Sequence, residues 1–237
     1  MLNFDDYIEL LDRQKNNQDV REEAIQYNVI RVFLQSIFQE FDIEATSKQE
    51  RASIHNYLDY CGSYIDEKTG RTKKWTPDLV IAKNWNWDNV NNNVEYKCVV
   101  EVKSPFLDPI TGLKPEKYGC LDEVKSHLKA QKNNKVILTD GVTWAFYDKE
   151  HALNPLYDPI TLGEIEYEMK VSPRRKNPVP VRGSGNKPII KGIIWKRGMV
   201  ETVDNEVIID IFGKPLEYEK EPKEFEELIR TLKGFMV

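Results

Sequence analysis

Residues 95–103 read Glu-Tyr-Lys-Cys-Val-Val-Glu-Val-Lys, and this stretch decides both the fold and the position of the candidate site. Successive side chains of a β-strand point to opposite faces of a sheet, so the alternation predicts one strand with two unlike faces. One predicted face carries Tyr96, Cys98, Val100 and Val102, and the other carries Lys97, Val99, Glu101 and Lys103. The apolar run Val99–Val102 is typical of a central strand, where a Glu and a Lys are costly to bury unless they have a role. Glu101 and Lys103 are therefore expected to leave the same face of the sheet.

A second predicted strand covers Leu79–Ala82 and is preceded by Thr76-Pro77-Asp78. Proline disfavours helix at the residue before it, so the chain should enter this strand extended. The Asn-rich stretch between Asn84 and Asn93 reads as a long connection to the strand at 95–103. The two strands are expected to pair, which would bring Asp78 towards Glu101.

These side chains suit a hard metal ion. Asp78 and Glu101 can supply two carboxylate oxygens, and the backbone carbonyl of Val102 is a natural third ligand. Mg²⁺ prefers oxygen ligands and keeps several waters, and it lowers the pKa of a bound water. Lys103 would orient that water, help to deprotonate it or stabilise the charged transition state. The alternative is that Glu101 and Lys103 form an ordinary ion pair on a solvent-facing edge strand.

Helical and strand periodicities alternate along the chain, which predicts a mixed α/β fold in one domain covering residues 1–237. The core of this domain is expected at about 20–148, with 149–237 adding strands, a basic loop and a C-terminal helix. Asp140-Gly141 is a strong hairpin signal between two strands. The predicted helices are Phe4–Arg13, Val20–Phe41, Leu121–Gln131 and Glu224–Phe235, and the further predicted strands are His55–Tyr64, Val136–Leu138, Thr143–Tyr147 and Val207–Phe212.

Composition indicates a globular chain that works in the cytoplasm. The N-terminus is acidic where a signal peptide is basic, and no run approaches the roughly 20 apolar residues of a membrane span. The three cysteines, Cys61, Cys98 and Cys120, are widely spaced and belong to no Cys or Cys/His metal motif. We therefore expect reduced thiols and no zinc site.

A basic segment stands out in this chain of net charge −5. Between Met169 and Val200 there is no Asp or Glu, which favours contact with a polyanion, although a solvated surface loop is the alternative. The segment is also rich in Pro and Gly, as in a loop that follows a groove. Its basic residues are Lys170, Arg174, Arg175, Lys176, Arg182, Lys187, Lys191, Lys196 and Arg197. The proposed nucleic-acid contacts are Arg174, Arg175, Lys176, Arg182 and Lys187.

Pro77-Asp78 followed by Glu101-Val102-Lys103 resembles the motif of the PD-(D/E)xK nuclease superfamily. Within it, the sequence is most similar to the nuclease domains of type I restriction enzyme motor subunits and their stand-alone relatives. The apolar helix that begins near Glu22 and the stretch from Val136 to Tyr147, with its Leu-Thr-Asp-Gly and Trp-x-Phe-Tyr elements, support the likeness. The resemblance covers about Val20–Asp148.

The resemblance implies the restriction-endonuclease-like fold, a mixed sheet flanked by helices, and hydrolysis of DNA phosphodiester bonds with Mg²⁺ or Mn²⁺. It makes Asp78 and Glu101 metal ligands and Lys103 the catalytic lysine. Glu22 would complete the site, with Glu23 as the fallback, unless Glu22 merely stabilises its helix N-terminus. It also implies a role in restriction or defence, as a homodimer or within a larger complex.

One helix motif departs from the type I pattern. Those relatives carry Gln-x-x-x-Tyr on the helix after the catalytic strand, where this chain has Glu123 and His127. We interpret His127 as a surface or packed helix residue rather than a catalytic one.

Two rival functions remain open from the sequence. The first is a non-catalytic nucleic-acid-binding subunit that retains the nuclease fold. The second is an RNA-directed nuclease, for which bases would stack on aromatic side chains near the site. Trp75, Trp85 and Trp87 lie in that region, although packing under loops is the simpler interpretation, and Trp144 and Trp195 are predicted to be core residues.

Overall fold

The structure is a computed structural model that describes residues 1–16, 21–46, 57–65, 69–86, 93–105, 120–151, 154–164, 169–170, 179–180, 189–190, 200–203, 206–209 and 223–237. Its helices are α1 (Phe4–Asn16), α2 (Glu22–Ile25), a π-helical turn (Gln26–Ile30), α3 (Arg31–Ile37), a 3₁₀ turn (Tyr57–Asp59), α4 (Cys120–His127) and α5 (Lys223–Phe235). The first eight strands are β1 (Asp42–Ala45), β2 (Ser63–Ile65), β3 (Thr72–Lys74), β4 (Leu79–Lys83), β5 (Glu95–Val102), β6 (Lys135–Thr139), β7 (Thr143–Asp148) and β8 (Ile160–Thr161). The later strands are β9 (Gly163–Glu164), β10 (Met169–Lys170), β11 (Val179–Pro180), β12 (Ile189–Ile190), β13 (Val200–Val203) and β14 (Glu206–Ile209).

A six-stranded mixed sheet organises the chain, in the order β1-β4-β5-β6-β7-β8. The neighbouring strands pair antiparallel except β5 and β6, which run parallel. A parallel pair needs a crossover, and the crossover from β5 to β6 contains α4. The predicted central position of the strand at 95–103 is confirmed, because β5 has neighbours on both sides.

Two apolar layers cover the two faces of this sheet, which confirms the predicted mixed α/β class with flanking helices. On one face, α1, the segment from α2 to α3 and α5 pack on strand residues such as Val100 and Val102. Aromatic rings join these helices to the sheet, with Phe33 at 5.7 Å from Trp144 between ring centroids. On the other face, α4 packs on Val99, Val136 and Leu138. Glu101 and Lys103 lie on this second face, under α4.

The long N-terminal helix is shorter than predicted and contains one irregular turn. It ends at Ile37, and Phe38 leaves helical geometry with φ −114° and ψ 80°. The apolar period continued to Phe41 because Phe38 and Phe41 pack on the same core and on each other, with ring centroids 5.5 Å apart. The periodicity of apolar residues indicates which side chains are buried, and here buried side chains continue past the end of the helix.

The predicted facing of Tyr96 is wrong, and a β-bulge is the reason. Ile81 pairs with Cys98, but the next β4 residue, Ala82, pairs with Tyr96, so Lys97 is the extra residue. A bulge inserts one residue into one strand, which exchanges the faces of the residues beyond it. Tyr96 consequently packs against Tyr60 and Trp85 in the second layer.

Several other boundaries differ from the predictions. The predicted strand at His55–Tyr64 is a 3₁₀ turn followed by β2, and His55 lies outside the described residues. The helix predicted to reach Gln131 ends at His127. The predicted strand Val207–Phe212 is confirmed up to Ile209 as part of β14, which pairs with β13, and 210–212 lie outside the described residues. The hairpin at Asp140-Gly141 is confirmed, with Gly141 at φ 86°. No described helix is long and apolar enough to cross a membrane.

Gly62 provides a test of how α4 is seated on the sheet. A Cβ atom at Gly62 would lie 1.7 Å from the Ser126 carbonyl oxygen, so Gly62→Ala forces the C-terminal turn of α4 to move. We expect a loss of about 3 kcal/mol in the free energy of unfolding, or roughly 6–12 °C in the melting midpoint. Gly234→Ala is the matched control, because nothing lies within 4 Å of its added Cβ and alanine favours helix. Equal midpoints for the two variants would contradict this close packing.

Candidate active site

Asp78 is held rigidly at the entrance to β4. Its carboxylate Oδ2 accepts the backbone amide of Val102 at 2.7 Å. Its carbonyl accepts the backbone amide of Thr46 at 3.1 Å and the side-chain amide of Gln26 at 2.6 Å. The pairing of β4 with β5 ends at Leu79 and Val100, so the Asp78 side chain continues the contact between these strands beyond the last backbone pair.

Gln26 is a site residue that the sequence reasoning missed. It is buried and lies at the start of the π-helical turn, which widens the helix by one residue. Such turns occur frequently at functional sites. A polar residue on an apolar helix face was the available signal, but nothing in the sequence showed that it faces the carbonyl of Asp78.

Glu101 and Lys103 are buried side by side, as their shared strand face predicts. The Lys103 Nζ lies 2.7 Å from Glu101 Oε1 and 2.8 Å from Glu123 Oε2. Glu22 is the third carboxylate near this ammonium, with its Oε1 at 4.0 Å. The alternative of a solvent-facing pair on an edge strand is wrong, because β5 is central and both side chains are more than nine-tenths buried.

His127 also reaches the site: of the two interpretations, the surface residue is wrong and the packed helix residue is confirmed. Its ring is fully buried, and Nε2 lies 3.0 Å from Glu101 Oε2. Glu123 lies four residues earlier on the same helix face, so α4 presents both side chains to β5. The Glu-x-x-x-His spacing was visible in the sequence, and its contact with Glu101 was not.

The titration properties follow from burial and crowding of carboxylates. Burial and the charge of Glu101 raise the pKa of Asp78 well above its usual value. Burial also acts to raise the pKa of Glu101, but the hydrogen bond from His127 and the charge of Lys103 lower it to about 2. Burial and the charge of Glu101 raise the pKa of Glu123 to about 7. Burial lowers the pKa of Lys103, but the surrounding carboxylates outweigh burial and raise it, so this lysine stays an ammonium.

The same strand carries a second Glu-x-Lys pattern that lacks these properties. Glu95 and Lys97 form an ion pair at the outer end of β5, where the Glu95 side chain is 55% exposed. The Glu101 side chain is 8% exposed. The two pairs have the same residue spacing, but they differ in their surroundings and in the bulge at Lys97.

The sequence predicts Asp78, Glu101 and the carbonyl of Val102 as oxygen donors for a metal ion, and the structure gives the position of each. Val102 directs its amide to Asp78, and the amide and carbonyl of one strand residue point to the same side, so this carbonyl also faces the Asp78 side of β5. The donor set is therefore two carboxylates and one carbonyl. Within the described ranges, no group of three or more His, Cys, Asp or Glu side chains is arranged to hold an ion.

Some of the other residues singled out from the sequence have a described position, and the rest lie outside the described residues. Glu22 is half-buried and faces Lys103, whereas Glu23 is exposed. Trp85 packs on Tyr60 with ring centroids 5.5 Å apart, and Trp144 is a core residue as predicted. The predicted residues that lie outside the described residues are Arg174, Arg175, Lys176, Arg182, Lys187, Trp87 and Trp195.

The three cysteines are free thiols and all are buried, as expected for a reduced chain.

Comparison with protein-family models, with curated proteins and with solved structures found no match to this chain. The geometry of these residues is therefore the basis for assigning a function to this chain.

The Gln26 contact leads to a prediction for the proposed reaction. Gln26→Met keeps side-chain length but removes the donor to the Asp78 carbonyl, so Asp78 loses one of its backbone supports. Losing a residue that holds a metal ligand in place typically lowers metal affinity or activity about 10–100-fold. We expect a decrease of about that size in the rate of single-turnover DNA cleavage. Gln14→Met is the matched control, since Gln14 is a buried glutamine that bonds Leu10 and Asn28 within the helical layer. A cleavage rate for Gln26→Met equal to that of Gln14→Met would show that the Gln26 contact with Asp78 does not contribute to the reaction.

Proposed function

We propose that this chain is a metal-dependent endodeoxyribonuclease with the restriction-endonuclease-like fold, related to the PD-(D/E)xK superfamily. One observation carries the proposal: Asp78, Glu101 and Lys103 come together at the ends of two paired strands, where Glu101 and Lys103 are buried and Asp78 is partly buried. A buried charge is costly unless it is paired or coordinated, so this cluster needs a purpose beyond stability. The contrast with the exposed Glu95–Lys97 pair on the same strand supports that inference.

The chemistry of the donor set fits a hard divalent cation. Asp78 and Glu101 lie near enough for the charge of Glu101 to raise the pKa of Asp78, and a cation between them would relieve that repulsion. Carboxylate and carbonyl oxygens are the ligands that Mg²⁺ and Mn²⁺ accept. We assign Asp78, Glu101 and the Val102 carbonyl as the residues that would hold the ion. When bound, such an ion supplies charge neutralisation at a phosphoryl oxygen and a water of lowered pKa.

Lys103 is the cation of the site. Its raised pKa keeps it an ammonium in the metal-free chain, where it donates hydrogen bonds to the neighbouring carboxylates. An ammonium held against Glu101 can orient a water or offset negative charge that develops on the phosphate. Glu123, whose pKa is raised to about 7, is the neighbouring group able to accept a proton near neutral pH.

DNA is the substrate that the remaining sequence features favour. The segment Met169–Val200 has nine basic and no acidic residues, which would offset the repulsion between a polyanion and the carboxylates of the site. Contacts to phosphates hold a duplex in place without reading its sequence. The proposal includes a cytoplasmic setting and a role in restriction or defence, in which a partner would supply any motor activity.

Nicking of supercoiled plasmid tests the proposed function. Purified chain is incubated with plasmid in Mg²⁺ or Mn²⁺, with EDTA as the blank and with linear duplex, single-stranded DNA and RNA of matched length in parallel. The proposal predicts metal-dependent conversion to open-circular or linear DNA and no conversion in EDTA. Binding to DNA without any cleavage would support the non-catalytic subunit, and cleavage of RNA alone would support the RNA-directed nuclease.

A further inference from the structure

We propose that His127 is a positioning residue for Glu101 in this reaction, an inference that rests on the proposed nuclease function. A hydrogen bond from His127 to one carboxylate oxygen and an ion pair from Lys103 to the other hold the Glu101 carboxylate in a single orientation. The chain would therefore use a histidine from α4 to fix one of the two metal-binding carboxylates.

Lys103 and His127 contact different oxygens of Glu101, which also forms a side-chain hydrogen bond with Glu123. Lys103 Nζ contacts Oε1 at 2.7 Å, and His127 Nε2 contacts Oε2 at 3.0 Å. A carboxylate oxygen accepts through two lone pairs, so each oxygen retains capacity for a further partner. Glu101 is thus immobilised without losing its ability to coordinate an ion.

The environment of His127 defines which ring nitrogen carries the proton. An ionised Glu101 can only accept, so Nε2 must donate. The other nitrogen, Nδ1, is buried and has no hydrogen-bond partner among the described residues. A buried N–H without an acceptor is rarer and more costly than an unused acceptor, so a proton on Nε2 suits both the contact with Glu101 and the unpartnered Nδ1.

The fold holds α4 firmly enough for this role. The chain that follows α4 is tied to the 3₁₀ turn by amides of Gln131 and Lys132, which donate to the carbonyls of Leu58 and Asp59 at 2.8 and 2.9 Å. Gly62 allows the backbone of Ser126 to approach closely. The His127 ring therefore approaches Glu101 from a fixed helix rather than from a free loop.

A satisfied core histidine would show the same contact, so the test must separate positioning from packing. His127→Gln places an amide nitrogen near the position of Nε2 and keeps a donor, whereas His127→Met has similar length and no donor. Both variants disturb packing to a similar extent, which makes them a matched pair. Binding of Mn²⁺ to the metal-free protein, measured by calorimetry, gives a readout that does not require cleavage.

We expect His127→Met to weaken Mn²⁺ binding and single-turnover plasmid cleavage by about 10–100-fold, and His127→Gln to recover most of both. The same loss in both variants, or unchanged Mn²⁺ binding in His127→Met while the unmodified chain binds and cuts, would overturn the positioning role and leave the nuclease proposal standing. An unmodified chain that neither binds Mn²⁺ nor cuts DNA would overturn both.

A measurement on the unmodified chain keeps the inference testable if His127→Met fails to fold. A long-range proton–nitrogen NMR spectrum of the histidine rings reports which nitrogen of His127 is protonated. The inference predicts a proton on Nε2. A proton on Nδ1 with Nε2 bare would exclude donation to Glu101 and contradict the proposal.

Discussion

Replacing Asp78 with Asn should reduce plasmid cleavage by at least two to three orders of magnitude and should also make the metal-free protein more stable. The amide oxygen of Asn can still accept the Val102 amide that Asp78 accepts at 2.7 Å. The negative charge, which burial and Glu101 both disfavour, is gone. Activity and stability are therefore expected to change in opposite directions, which a folding defect cannot produce.

The stability gain should depend on pH in a defined direction. Because the pKa of Asp78 is raised in the folded protein, its ionised form destabilises the fold, and this cost grows as pH rises above the unperturbed carboxyl pKa of about 4. The variant should exceed the unmodified chain by about 2 °C or more in melting midpoint at pH 7 in EDTA, and the difference should shrink towards pH 4. A lower midpoint for Asp78→Asn at pH 7 would contradict the crowding of carboxylates.

Replacing Lys103 with Met should have the largest effect on stability at the site. Three carboxylates, Glu101, Glu123 and Glu22, lie within 4.0 Å of its ammonium, and its removal leaves them facing one another and Asp78. Breaking a buried ion pair by removing one partner costs about 3 kcal/mol or more, and the loss of an aligned charge at a transition state costs about 10²–10³ in rate. We expect both losses in this variant.

Divalent metal should restore part of the lost stability, because an ion at Asp78 and Glu101 replaces some of the missing positive charge. The melting midpoint of Lys103→Met should thus increase more on addition of Mn²⁺ than that of the unmodified chain. Lys97→Met, which breaks the pair with the exposed Glu95 and keeps an apolar side chain beside Phe41, is the control and should change little in either condition. If Lys103→Met and Lys97→Met have the same melting midpoint in EDTA, the buried charge cluster does not contribute the proposed stability.

The sequence predicted the parts of this site that depend on local pattern. The two-residue period places Glu101 and Lys103 on one face, and Pro77 predicts the extended entry that leads to Asp78, because both effects act within a few residues. The pairing of β4 with β5 followed from two apolar runs and a polar connection. The mixed sheet and its flanking helices could be predicted for the same reason.

Residues brought in by tertiary packing were not predictable in this way. Gln26 reaches Asp78 because a π-helical turn widens its helix, and no propensity marks that turn. His127 reaches Glu101 because of where α4 lies along β5. Close tertiary contacts, such as that of Gly62 with the Ser126 carbonyl, set this position. The bulge at Lys97, which turns Tyr96 to the other face, likewise depends on the partner strand.

The central claim is that the buried Glu101–Lys103 pair, and not the exposed Glu95–Lys97 pair on the same strand, performs metal-dependent hydrolysis. One measurement compares the double variants Glu101→Gln/Lys103→Met and Glu95→Gln/Lys97→Met in plasmid nicking with Mn²⁺, after circular dichroism has shown that both are folded. The account predicts that the first variant cuts no faster than the EDTA blank and that the second cuts at the rate of the unmodified chain. Cleavage by the first variant at the unmodified rate would contradict the account.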